Sequence, residues 1–287
     1  MTEPGDSAHR PPAVAVVPAY QPGPNLTALV RSLLAQTSGV VVVDDGSPTP
    51  SDLLDAVTDL GALVVRHETN RGIAAALNTG VRAATTGGDV TSVLTVDQDS
   101  EVPEGFVRAL LETWAEAEQS GVRVGLVAPA HVAGLPAQRT GQVPVQSGLL
   151  IPTATLRRVG EFDESLVIDG VDDDFALRCL DAGLALVVAE GVRLGHRLGE
   201  THDVSIAGRT ITLTRSAPFR YYYLTRNRIR LVRRHGRRHL GWSVRQVVGA
   251  AGHLGLVLAF DPGRFDRLRE AWRGTRDGLR GGPDTRP

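Results

Sequence analysis

Val93-Leu94-Thr95-Val96-Asp97-Gln98-Asp99-Ser100 is an apolar run that ends in two aspartates one residue apart. In a strand, residues two apart share a side, so Asp97 and Asp99 can present both carboxylates to one cation at the strand's C-terminal edge. Open α/β sheets bind their ligands at that edge. A hard divalent ion held there by carboxylate oxygens keeps positions open for diphosphate oxygens, which points to chemistry on a nucleotide. Taken alone, the pair is better explained as a strand followed by a polar turn, because Asp is common in turns. The flanking sequence changes that balance.

On either side of this run, short β-rich segments alternate with helical periodicity, the signature of parallel βαβ units. The pattern predicts strands at 13–17, 40–43, 62–66, 90–96 and 124–128, and helices at 25–36, 51–59, 73–84 and 103–118. Beyond Pro129 the alternation breaks down, leaving a short strand near 143–151 and helices near 153–159 and 172–182. From Arg220 onward the chain reads as helical. Its apolar stretch 247–260 is too short to cross a bilayer, and Arg245 and His253 interrupt any longer window, where a central charge costs about 2.5–3.5 kcal/mol. An interfacial or core-packed helix is expected there.

The 287 residues suffice for one large α/β domain. A single cysteine, Cys179, excludes an internal disulfide framework and fits a reducing compartment; its apolar helical neighbours mark it as a buried structural thiol. Residues 1–12 are polar and proline-rich without an apolar core, so a disordered tail and a cytosolic location are expected. The net charge of −1 conceals an asymmetry: residues 1–219 carry 15 Arg against 27 acids, and residues 220–287 carry 16 Arg against 5. An acidic body with a basic tail suits an anionic partner, whether a membrane surface, a phosphorylated substrate or nucleic acid.

Other candidate groups sit in predicted loops. Asp45, in the turn after four valines, can accept the imide N–H of a pyrimidine, although a simple turn explains it equally well. Asn70-Arg71-Gly72 precedes the helix that holds Asn78 and Gly80, and Gly72 lets backbone approach a ligand. These glycines do not form the Gly-x-Gly-x-x-Gly fingerprint of dinucleotide enzymes. Asp169, Asp172, Asp173 and Asp174 open a helix; capping accounts for them, as does mutual repulsion that lifts one carboxyl toward the range of a general base. His196 stands on the rim of a strand, where a lone histidine is usually structural. Arg220-Tyr221-Tyr222-Tyr223 and Arg226-Asn227 could stack sugars and bind phosphate, and no nucleic-acid motif accompanies them.

Taken in this order, the segments Val14 to Tyr20, Asn70 to Ala74, Asp97 to Ser100, His196 to Gly199 and Tyr222 to Asn227 resemble the family 2 glycosyltransferases, and among these the bacterial rhamnosyltransferases. The resemblance implies the GT-A fold, a Rossmann-like, mostly parallel sheet flanked by helices. It divides the chain into a transferase domain at 13–219, with a nucleotide-sugar half at 13–128 and an acceptor half at 129–219. A basic helical region follows at 220–287, peripheral at the inner face of the cell membrane. The implied reaction is an inverting transfer from dTDP-rhamnose to a hydroxyl of a cell-envelope glycan or a polyprenyl-diphosphate-linked acceptor, without nucleic acid. Pro18, Tyr20, Asp45, Asn70, Gly72, Asn78 and Asp97 would bind the donor. Asp97, Asp99 and His196 would hold Mg2+ or Mn2+. Asp172 would be the general base, and Ser147, Gly148, Asp174, Arg226 and Asn227 would meet the acceptor. The family's usual aromatic before the Val-Asp element is Gly170 here, and its Glu is Asp174. Competing readings are a transferase for another donor such as UDP-galactofuranose, and a non-catalytic module that binds nucleotide sugars or polyanions.

Overall fold

The computed structural model describes residues 13–48, 52–86, 88–136, 143–196, 201–206, 209–214, 216–261 and 263–281; from 196 to 214 it describes the backbone alone. The tail at 1–12 lies outside these residues. The first half alternates β1 (Ala13–Ala19), α1 (Asn25–Gln36), β2 (Gly39–Asp44), α2 (Asp52–Asp59), β3 (Leu63–Arg66), α3 (Ile73–Thr85) and β4 (Ser92–Thr95). After a short β5 (Ser100–Glu101) come α4 (Phe106–Gln119), β6 (Val124–Val132), β7 (Leu135–Pro136), β8 (Leu149–Pro152), α5 (Thr153–Val159), α6 (Val171–Asp181) and β9 (Ala185–His196). A hairpin of β10 (Thr201–Ile206) and β11 (Arg209–Thr214) then leads to three helices, α7 (Pro218–His235), α8 (Leu240–Phe260) and α9 (Arg264–Arg280).

The main sheet runs in the order β3-β2-β1-β4-β8-β6-β9-β5. Its β3-β2-β1-β4 part is parallel, β8 lies antiparallel between β4 and β6, and β9 is again parallel to β6. Runs such as Val40-Val41-Val42-Val43 favour strands buried on both faces, because β-branched side chains pack well on a pleated surface. Alternation splits them cleanly. Ala13, Ala15 and Val17 of β1 and Val40 and Val42 of β2 pack toward α1, α2 and α4. Val14, Val16, Val41 and Val43 face the layer built by α3 and α6. The result is a helix–sheet–helix sandwich in which β1, β2, β3 and β4 all end at one edge.

Cys179 is fully buried in α6, and that burial pushes its thiol up to about 12, so it stays a neutral packing group. The three C-terminal helices form an attached layer. α9 meets α7 where Gly274 and Gly278 face it: a Cβ on Gly274 would overlap the Tyr222 carbonyl oxygen, and one on Gly278 would lie 2.9 Å from that of Arg226. The apolar stretch 247–260 belongs to the 21-residue α8, which is long and apolar enough to cross a membrane by length and composition. It is not a core helix: only Trp242, Ser243 and Val257 are buried along it.

Candidate active site

Four strand ends supply one side of the site. Tyr20 follows β1 and is exposed, while Pro18 is buried within the strand, opposite Val43. Asp97, Gln98 and Asp99 form the turn after β4, all half-buried. The Gln98 amide donates to the Tyr20 carbonyl (3.1 Å) and accepts from the Tyr20 N–H (2.9 Å), tying this turn to β1. Ser147, buried at the entry to β8, accepts from the Asp97 N–H (3.0 Å) and shares a hydrogen bond with Ser100 (2.9 Å). Next to it, Gly148 has a φ of +87° and donates its N–H to the Thr95 carbonyl (2.7 Å). Ser147 and Gly148 thus brace the carboxylate turn from beneath.

Asp45, at the end of β2, accepts from the backbone N–H groups of Arg71 (2.8 Å) and Gly72 (2.7 Å) and pairs with His67 Nδ1 (2.8 Å). Its carboxylate is committed to holding the 70–72 loop. Gly72 has a φ of +93° and presses against Val167, where a Cβ would stand 2.6 Å from the carbonyl oxygen. Arg71 pairs with Glu164 at 3.1 Å. The loop after β3 therefore meets the segment leading to α6, and Asn70 is exposed within it.

That segment carries the opposite side of the site. Val167 and Asp169 adopt φ of +64°, unusual for residues with side chains, and Gly170 follows at +87°. Asp172 sits in the first turn of α6, half-buried. Burial first, and then the neighbouring Asp173 carboxylate, push its pKa up to about 7. Burial also raises Asp173, opposed by a hydrogen bond from the Trp242 indole (3.2 Å). The repulsion expected among these aspartates is real at Asp172, while α6 separates Asp174 from it.

Asp174 is no acceptor contact. It points inward, fully buried, accepting from Arg178 (2.7 Å), Arg234 (2.9 Å) and His235 (2.9 Å). Burial opposes ionisation, but these donors outweigh it and bring the carboxyl down to about 2. Arg226 and Asn227 likewise face inward. The Arg226 guanidinium is fully buried over the rings of Tyr222 and Tyr223 and donates to the carbonyls of Ser165 (2.7 Å) and Leu166 (3.3 Å). The Asn227 amide donates to the carbonyls of Leu166 (2.8 Å), Ile168 (2.8 Å) and Asp169 (2.7 Å). These residues hold the strained loop from behind, and the three buried tyrosines offer no face for stacking sugars. Asn78 is buried too, bonded to both the N–H and the carbonyl of Phe162 and to Glu164, which removes it from the donor set.

Arg220, read from the sequence only as part of a motif that could bind phosphate, is instead paired with Asp169. Its guanidinium binds both Asp169 oxygens, at 2.5 and 3.2 Å, and a hydrogen bond to Asp169 joined by the charge of Asp97 raises its pKa. One cation thus lies in the field of both loops. It stands in a quoted motif, but nothing local signals a partner 51 positions away. Asp97, Gln98 and Asp99 lie in a turn rather than in β4, so the two-residue strand period expected for the two aspartates does not apply to them.

Residues 14–141 match the model of Glycosyl transferase family 2. The chain is 29% identical, over 93% of its length, to the dTDP-rhamnosyl transferase RfbF of Shigella flexneri, covering 95% of that protein. It is 30% identical, over 64% of its length, to a pre-mycofactocin glycosyltransferase of Mycobacterium tuberculosis, of which it covers 42%. Among solved structures, residues 1–349 of S. aureus TarS superpose with a TM-score of 0.57 at 16% identity, covering 93% of this chain and 80% of that one, a likeness of fold alone. The matched domain and the sequence similarity support a glycosyltransferase. Its residues 14–141 match family 2, and the chain is similar in sequence to a rhamnosyltransferase.

A divalent ion is compatible with the site. The turn supplies two carboxylates, and the antiparallel register of Ser100 with His196 sets a histidine position beside it. Carboxylates alone suit Mg2+, and an added imidazole favours Mn2+. The His196 side chain and Arg197 to Gly199 lie outside the described residues, and among the described residues no three His, Cys, Asp or Glu side chains form a metal-sized cluster.

Proposed function

We propose that the protein is a cytosolic, metal-dependent inverting transferase that moves L-rhamnose from dTDP-rhamnose to a hydroxyl of a cell-envelope glycan or polyprenyl-diphosphate-linked acceptor. The bond between the anomeric carbon and the diphosphate oxygen breaks, a bond from the acceptor oxygen forms on the opposite face, and dTDP leaves. Asp172 takes the acceptor's proton; a carboxyl with a pKa near 7 is matched to that task at neutral pH. Tyr20, Asp45, Asn70 and Gly72, with Pro18 beneath, line the nucleotide side. Asp97, Asp99 and His196 would hold Mg2+ or Mn2+, which when bound neutralises charge on the leaving diphosphate. Arg220 adds a fixed positive charge between the two loops. Residues 13–128 act as the donor half and 129–219 as the acceptor half.

The reading rests on Arg220, which binds Asp169, in the loop ahead of Asp172, and lies in the field of Asp97, in the carboxylate turn. Similarity to a dTDP-rhamnosyl transferase supports the choice of donor. The test is release of dTDP from a panel of nucleotide sugars, with and without Mn2+. Wild type should release dTDP from dTDP-rhamnose only with metal. Asp99→Ala should lose both release and metal-dependent binding, whereas Asp172→Asn should bind donor normally and fail to transfer. Transfer at the wild-type rate by Asp172→Asn would remove it as the base.

A further inference from the structure

Two C-terminal helices leave an apolar stripe uncovered. On α8, Leu240, Val244, Val247, Ala251 and Leu258 recur at helical spacing, so they share one face about 27 Å long. All are exposed, Val244 at 61% and Leu240 at 68%, and only Trp242, Ser243 and Val257 are buried along the helix. The opposite face is engaged: Trp242 bonds Asp173, His253 bonds the Tyr221 hydroxyl at 3.1 Å, and Val257 packs with Tyr221 and Ala271. A helix held to protein along one side cannot be surrounded by lipid, but it can lie in an interface. On α9, Phe265, Arg269, Trp272, Arg276 and Leu279 fall on one exposed face, alternating apolar or aromatic groups with arginines; Phe265 is 75% and Trp272 70% exposed.

We infer that α8 and α9 form a docking surface for an anionic lipid bilayer, with the α8 stripe and Trp272 entering the headgroup boundary and the arginines meeting lipid phosphates. The choice of a bilayer rests on charge complementarity, because residues 220–287 carry 16 Arg against 5 acids, and on the mixing of arginine with aromatic side chains on the α9 face. The surface is also tied to the chemistry. The Trp242 that anchors α8 hydrogen-bonds Asp173, next in sequence to Asp172, so a docked α8 sets the acceptor loop at a fixed height above the membrane. This deepens the reading of a lipid-linked acceptor and rests on it in that respect.

The test is sedimentation of the full chain with vesicles of phosphatidylcholine alone or mixed with phosphatidylglycerol. Wild type should bind the mixed vesicles, several-fold more weakly at high salt, with a blue shift of tryptophan emission. The triple variant Val244→Ser, Val247→Ser, Val248→Ser alters only exposed positions and should keep its fold by circular dichroism and its dTDP release, yet bind at least tenfold more weakly. Trp272→Ala should weaken binding and abolish most of the emission shift. Unchanged binding by the triple variant would overturn the proposal, as would wild type that stays soluble beside mixed vesicles. Self-association that buries these faces, or resistance to alkaline extraction from membranes, would also overturn it. Vesicle binding by a wild type that releases no dTDP would instead count against the donor reading and leave the docking surface standing.

Discussion

Replacing Asn227 with alanine should loosen the loop that presents Asp172, and the structure sets the scale. The amide nitrogen has two protons and serves three carbonyls, those of Leu166, Ile168 and Asp169, so one proton is shared. Each buried hydrogen bond contributes about 1 kcal/mol net, and stranding a buried carbonyl costs about 1–3 kcal/mol. The loop also carries two non-glycine residues at positive φ, each about 1–3 kcal/mol above relaxed backbone, which persist only where surrounding bonds over-determine them. Asn227→Ala should therefore destabilise by about 2–4 kcal/mol and lower Tm by about 5–10 °C. Transfer should fall at least tenfold with donor binding nearly intact, because the 70–72 loop is held separately by Asp45. Scanning calorimetry and initial rates at saturating donor measure both effects. Asn227→Asp keeps the shape and the bond accepted from the Arg226 guanidinium (2.9 Å) but removes both donors and sets a carboxylate against three carbonyls, so it too should lower Tm and transfer. A Tm and transfer rate equal to wild type in the aspartate variant would refute the argument that these hydrogen bonds hold the loop.

Transfer should follow ionisation of Asp172, half-maximal near pH 7 and falling about tenfold per unit below it, which a pH-rate profile at saturating metal would display. The folded state also holds a proton on Asp172 that the unfolded chain has released, so wild type should lose stability as pH rises from about 4 to about 7. Asp172→Asn should abolish that dependence and melt higher than wild type at pH 8; an unchanged pH slope would argue against a raised carboxyl. Gly274→Ala should push α9 off α7, since its Cβ would overlap the Tyr222 carbonyl oxygen, giving a loss of several degrees in Tm and poorer transfer. Wild-type melting in that variant would contradict the close helix approach.

The first half of the fold was legible because its signals are local. Alternating valines and the apolar run ahead of the carboxylate pair place β1 to β4, and the helix over 25–36 falls where periodicity sets it. The burial of Cys179 followed from its apolar helical neighbours. Long-range hydrogen bonding was not legible. Arg226 and Asn227 read as ligands because arginine and asparagine on a basic helix usually meet solvent or substrate, yet their partners are carbonyls 58 to 61 residues upstream. Asp172 and Asp174 are chemically identical in sequence. Only the direction of helix α6 gives one a neighbouring carboxylate and the other three hydrogen-bond donors, two of them guanidinium groups. The exposure of α8 was equally hidden, because an apolar helix looks the same whether protein, lipid or water covers it.

The close approach of α9 to α7 imposes an order on the protein's maturation. Most of the proposed donor side, the strands through β4 and the loops after β2 and β3, lies within the first hundred residues, while its braces at Ser147 and Gly148 come later. The loop bearing Asp172 is clamped by α7, and α7 is backed by a helix that ends at Arg280. During synthesis, those strands therefore emerge long before the helix that backs the clamp on the loop ahead of Asp172. The loop ahead of Asp172 is thus the later of the two sides to be fixed in place.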